Sequence, residues 1–218
     1  MIHARVLSGM WGGVMAIALH SASAAAQDDL RIHIHTQIHP DFPPSAVVLQ
    51  GEIRDQQAEI RRIEIYHTSD RTTPHQRITG IATRFPDLST AGLVIEDLNF
   101  DGYQDLRLPE FLPASPNIPY LYWLYNPETA QFERNHALEM ITSPVVDSER
   151  QLITSFSRVN AVTYVISDYR MEGDRLQLLQ ERTEIYDRKG RKRVIVKMWQ
   201  DGEFVIVSDR LEPATADP

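Results

Sequence analysis

From Asp97 to Asp105 the chain reads Asp-Leu-Asn-Phe-Asp-Gly-Tyr-Gln-Asp, with oxygen-bearing side chains at Asp97, Asn99, Asp101 and Asp105 and a glycine at Gly102. Alternate residues of a wrapped loop point at one centre, and a hard divalent cation asks for about six to eight oxygens. The spacing therefore predicts a calcium loop in which those four side chains are ligands and Tyr103 gives its backbone carbonyl. Gly102 supplies the sharp turn. Where an EF-hand would carry its bidentate Glu stands Leu108, and the flanks Val94 to Glu96 and Leu106 to Leu108 look like strands rather than helices. Asp105 must then close the shell, with an affinity of about 10⁻⁴ to 10⁻³ M, as in extracellular modules. The same residues also suit an Asx-rich turn that merely reverses the chain, although three crowded carboxylates repel one another when no cation is present.

Two other clusters have chemistry to offer. His33, His35 and His39 share one face of a candidate strand and are candidate ligands for Zn²⁺ or Cu²⁺. No cysteine or partnered acid completes that shell, so an exposed polar strand face near a terminus is the favoured reading of the histidines. Arg188, Lys189, Arg191, Lys192 and Arg193 surround Gly190 at a hairpin tip, where they either meet an anionic partner or protect a sheet edge. The chain has no G-x-S-x-G and no H-E-x-x-H, and without cysteine no thiolate nucleophile is available. We expect no catalytic residues, no organic cofactor and no enzymatic activity.

These groups need a scaffold, and the first 26 residues are not part of it. His3 and Arg5 lead into an uncharged apolar stretch from Val6 to Leu19, too short and too glycine-rich for a membrane span, and the run Ser21 to Ala26 supplies an A-x-A-like cleavage site. Residues 1–26 read as a signal peptide cut after Ala26. The expected compartment is the periplasm, with no membrane association once the leader is gone. Removing it moves the formal charge from -8 to -9, since it holds one Arg and no acid. A surface this acidic argues against nucleic acid or anionic membrane as partner. Having no cysteine, the domain must hold itself together by burial and by the metal.

Downstream, apolar residues recur at period two in short runs rich in Val, Ile, Tyr and Thr, which predicts an all-β single domain over 27–211 and a flexible tail over 212–218. The clearest strands are Arg31 to His39, Val47 to Ile53, Glu59 to Tyr66, Tyr120 to Tyr125, Leu152 to Arg158, Val162 to Met171, Leu176 to Tyr186, Arg193 to Trp199 and Phe204 to Val207. Asp201-Gly202 between the last two is a strong hairpin signal. Period two places Tyr120, Tyr122 and Leu124 on one face and Leu121, Trp123 and Tyr125 on the other, with Trp123 in the core. One short helix is expected at His136 to Ile141. Strand spacing leaves sandwich, barrel and irregular propeller open.

The segment Asp97 to Leu106, the proline-rich stretch with Pro109, Pro113, Pro116 and Pro119, the run Ile118 to Thr129, Phe132 and Ser155 to Arg158 together resemble a family of bacterial periplasmic proteins. That family has a propeller-like β fold and one calcium loop, and some members are immunity proteins that inhibit lysozyme-like peptidoglycan hydrolases delivered by a bacteria-killing type IV secretion system. The resemblance spans roughly Leu93 to Leu178. It implies an irregular, propeller-like antiparallel fold and a protein partner, a peptidoglycan hydrolase effector. Tyr120 would then enter the partner's substrate cleft, and Asn117 would hydrogen-bond beside it. The alternative is a calcium-stabilised binding module for a cell-envelope polysaccharide.

Overall fold

In the computed structural model residues 28–67, 70 and 72–213 are described, so the expected leader and its cleavage site lie outside the described residues. The chain folds into three successive antiparallel sheets in which nearly every strand pairs with the next in sequence. The first holds β1 (Asp28–Thr36), β2 (Ser45–Arg54), β3 (Gln57–His67), β4 (Gln76–Ile78) and β5 (Thr83–Phe85), the last pairing back onto β3. The second holds β6 (Val94–Glu96), β7 (Asp105–Pro109), β8 (Tyr120–Asn126) and β9 (Gln131–Arg134). The third runs through β10 (Pro144–Asp147), β11 (Leu152–Arg158), β12 (Thr163–Glu172), β13 (Arg175–Tyr186), β14 (Lys192–Gln200) and β15 (Glu203–Glu212). None of the sheets closes into a barrel.

The second sheet is the middle layer, because its alternating side chains feed two cores. Leu106, Leu108, Leu121, Trp123, Tyr125 and Phe132 pack with Ile32, Val47, Leu49, Ile60, Ile63 and Ile65 of the first sheet. Tyr122 and Leu124 on the opposite face pack with Leu98, Leu138, Ile141, Ile153 and Met171. The period-two division of β8 is therefore the division between the cores, and Trp123 is buried as expected. Burial thins out at the far edge of the third sheet, where Val194 is the sole buried hydrophobic of β14 and β15.

Turn chemistry follows the sequence. Asp201 and Gly202 both take positive φ, 50° and 90°, as a two-residue hairpin loop requires. Asp55 and Gln56 do the same at 49° and 62° between β2 and β3, without a glycine to announce it. Three short strands, β5, β9 and β10, are not signalled by the sequence pattern, being three or four residues long. The helix expected over His136 to Ile141 is a single 3₁₀ turn, Leu138–Met140. Its amide Leu138 N–H is capped by Asn135, whose side-chain oxygen accepts at 3.0 Å, and the β-conformation of Ile141 ends it before an α-turn can form. β15 runs to Glu212, one residue into the expected tail, and residues 214–218 lie outside the described residues.

Candidate metal centre and partner loop

The loop Asp97 to Asp105 joins β6 to β7 at the end of the middle sheet. Asp97 accepts from the amides of Asp101 at 3.1 Å and Gly102 at 2.9 Å, and Asp101 accepts from the amide of Tyr103 at 2.9 Å and the side-chain amide of Asn99 at 2.8 Å. Gly102 sits at φ 93°, a value that favours glycine, and Phe100 is held at φ 63° by packing against the second core. Asp105 is fully buried, with one oxygen accepting from Leu98 N–H and the other from Tyr125 N–H, both at 2.8 Å. It thereby ties the loop to β8. Burial, with the nearby charges of Asp101 and Asp97, pushes its carboxyl up to about 7 against the opposing pull of those two amides.

The structure thus brings Asp97, Asn99, Asp101 and Asp105 into one loop, yet among the described residues no three His, Cys, Asp or Glu side chains are gathered as a ready-made metal shell. Their oxygens accept from backbone amides, and Asn99 and Asp101, each accepting from the amide two residues on, form Asx-turns. The donor set is still all oxygen, the chemistry a hard cation needs, and the buried Asp105 carboxyl lies near the charges of Asp97 and Asp101. The residues fit calcium by donor type. A shell would require the exposed carboxylates of Asp97 and Asp101 to turn toward a common centre, while Asp105, with about four lone-pair sites, can keep its two amides and still ligate.

His39 belongs to this site rather than to the other histidines. Its ring stacks on Tyr103 at 4.6 Å, Tyr103 stacks on Tyr125 at 5.4 Å, and Phe42 packs edge-on against both ends of the stack. Gln104 N–H donates to the carbonyl of Ile38 at 2.8 Å, so the loop is also tied to the segment after β1. His33 and His35 instead line a cavity of about 290 Å³ on the first sheet with Arg31, Tyr66 and His67. The three candidate ligands His33, His35 and His39 are therefore divided between two places.

The segment between β7 and β8 is pinned at both ends. Glu110 N–H donates to the carbonyl of Pro119 at 3.0 Å, Arg84 N–H to the carbonyl of Glu110 at 2.8 Å, and Ser143 N–H to the carbonyl of Ile118 at 2.9 Å. Asn117 spends its amide group on Arg158, donating to its carbonyl at 3.0 Å and accepting from its N–H at 2.7 Å. Tyr120 is half-buried at the start of β8, where it packs on the second core under the Arg107 guanidinium, 4.9 Å from the ring centre. Phe111 and Leu112, by contrast, stand 47% and 51% exposed on the same segment. Sequence reading misses this pair because two apolar residues carry no periodicity; their signal is an apolar doublet directly before Pro113, outside any strand pattern.

The basic tip is largely spent on local pairs. Arg191 meets Asp187 at 2.7 Å, Lys192 meets Glu184 and Glu212, and Arg193 meets Asp209 at 2.5 Å. Among the described residues no helix is long and apolar enough to cross a membrane.

Neither a protein-family model nor a curated protein matches the chain. Among solved structures it is similar to a protein described as "Structure of a Xanthomonas Type IV Secretion System related protein", with a TM-score of 0.62 and 17% sequence identity over 81% of this chain and 93% of that one. At that identity the likeness is one of backbone architecture, and the chain shares the fold of this Xanthomonas type IV secretion system related protein.

Proposed function

We propose that this protein is an exported, non-enzymatic inhibitor of the immunity type, active in the periplasm against a lysozyme-like peptidoglycan hydrolase and stiffened by one calcium ion. The metal would be held by Asp97, Asn99, Asp101, Asp105 and the carbonyl of Tyr103, and when bound it would neutralise the buried acidic centre. One observation carries the reading: the segment from Pro109 to Pro119 is fixed by hydrogen bonds at both ends while it holds Phe111 and Leu112 out to solvent. An inhibitor needs such a pre-ordered apolar projection, because a few anchors carry most interface energy and a loop already fixed loses little entropy on docking. The shared fold with a type IV secretion system related protein points the same way as the motif resemblance. Asn117 and Tyr120 follow toward the C-terminal end of the segment, and the half-buried ring of Tyr120 is a second candidate contact.

The test is clearing of a peptidoglycan suspension by a lysozyme-type effector with and without this protein. Stoichiometric loss of clearing is expected. Truncating Phe111 and Leu112 together to Ser should weaken inhibition by at least about thirtyfold, the effect of losing a hot spot of about 2 kcal/mol, with an unchanged melting temperature. Tyr120→Ala separates contact from packing: a contact residue loses inhibition at constant stability, and a packing residue loses stability first. An effector that clears at full rate in excess inhibitor would sink the proposal.

A further inference from the structure

A cluster of aromatic side chains on the third sheet is used by nothing described so far. Arg158 on β11 faces Tyr164 on β12, and Tyr164 faces Glu184 on β13, so the three stand in one cross-strand row. Phe156, two residues before Arg158, stacks on Tyr164 with ring centres 5.8 Å apart at 30°, and Tyr186, two residues after Glu184, meets Tyr164 edge to face at 5.7 Å and 88°. These rings, with Ala161 and Glu184, line an open cavity of about 300 Å³. That is the lower end of the size range of small-molecule sites.

The charges around the cavity select among ligands that would lie on aromatic faces. Glu184 is 8% exposed and engaged by three donors, Arg182, Lys192 at 3.2 Å and the Tyr186 hydroxyl at 3.0 Å. Arg158 already lies 5.6 Å over the Tyr164 ring. Arg158, Arg182 and Lys192 thus outnumber Glu184 and the second partner of Lys192, Glu212. An organic cation would seek the same ring faces, but here it would meet an excess of positive charge and a carboxylate already spent. A pyranose ring needs what the site offers: flat aromatic faces for its C–H side and a polar rim for its hydroxyls. A carboxylate on that sugar would be drawn to Arg158.

We propose that this cavity binds one pyranose ring of an acidic glycan, its apolar face on Tyr164 between Phe156 and Tyr186 and its carboxylate toward Arg158. The backbone of Arg158 bonds Asn117 of the projecting segment, but the rings and the guanidinium lie outside that contact, and the site does not depend on inhibition of any hydrolase. Titrating the full mature protein with N-acetylmuramic acid, N-acetylglucosamine or tetramethylammonium chloride, followed by NMR shifts of the aromatic and backbone signals, tests it. Saturable shifts confined to the surroundings of Phe156, Tyr164 and Tyr186 are expected. The acidic sugar should bind about fivefold more tightly than the neutral one, the scale of one exposed ion pair. Tyr164→Ala should weaken both sugars by about tenfold; if that variant does not fold, Phe156→Leu takes its place. Arg158→Gln should bring the acidic sugar level with the neutral one while leaving neutral-sugar binding in place. Absence of shifts at about 20 mM sugar, equal binding of acid and neutral sugar by the unaltered protein, or tighter binding of tetramethylammonium would overturn the proposal.

Discussion

The middle sheet and the outer edge of the third sheet are written in the same alternating pattern and end in opposite environments. β8 carries Leu121, Trp123 and Tyr125 into one core and Tyr122 and Leu124 into the other, so a strand that alternates in sequence is buried on both sides. β14 and β15 alternate as well, yet Trp199, Ile206, Val207 and Leu211 stand 46%, 61%, 43% and 60% exposed. The outer strands are held instead by ladder pairing and cross-strand ion pairs, Arg193 with Asp209 and Lys197 with Glu181. Such exposed pairs contribute only about 0 to 1 kcal/mol each. Burial is thus concentrated on the two faces of the middle sheet, and the outer edge is left as surface.

The largest effect that can break this contrast is a core deletion. Trp123→Ala, at a site 2% exposed between two sheets, should cost about 3 to 5 kcal/mol in chemical denaturation, while Ile206→Ala should stay within about 0.5 kcal/mol. Comparable losses at both would mean that the outer edge is packed after all. Asp105→Ala comes next: it leaves the amides of Leu98 and Tyr125 buried without their acceptor and should cost about 2 kcal/mol or more. Asp101→Ala, on the exposed side of the same loop, should instead remove any calcium-dependent rise in melting temperature and change the metal-free stability little.

Acidity sharpens the same point. Between the unfolded value near 3.8 and the folded value of about 7, the native chain keeps a proton on Asp105 that the unfolded chain has lost. The stability of metal-free protein should therefore fall as pH rises from about 4 to about 7 and level off above, against the usual carboxylate trend. Calcium needs the ionised form, so its affinity should drop by about tenfold per pH unit below about 7. Melting curves across pH with and without calcium check both signs. The smallest change is Tyr122→Phe. The hydroxyl of this fully buried tyrosine has no partner among the described residues, so its removal should leave stability unchanged or raise it by up to about 1 kcal/mol.

Much of the scaffold was legible in sequence, because period two and turn residues act locally. The strand Leu152–Arg158 has the bounds its pattern gives, the Asp201-Gly202 hairpin takes the φ values its residues favour, and the two faces of β8 separate as alternation requires. Short strands such as β5 and β10 were not legible, since three or four residues carry too little periodicity and are placed by their neighbours. The acidic loop was found by residue type and spacing. What spacing could not give is the burial of Asp105, which depends on β8 arriving from twenty residues further along, or the capture of His39 by Tyr103 and Tyr125. Nor could it separate Tyr120, drawn under Arg107, from Phe111 and Leu112, left in solvent. Those outcomes are decided by tertiary neighbours, of which local pattern holds no record.

Native-state hydrogen exchange with calcium or with chelator tests most directly whether the loop clamps the middle sheet. Calcium at about ten times its dissociation constant should slow exchange of the Leu98 and Tyr125 amides, the two that Asp105 holds, by about tenfold, and leave β14 and β15 unchanged. Identical exchange at Leu98 and Tyr125 with calcium and with chelator would contradict it.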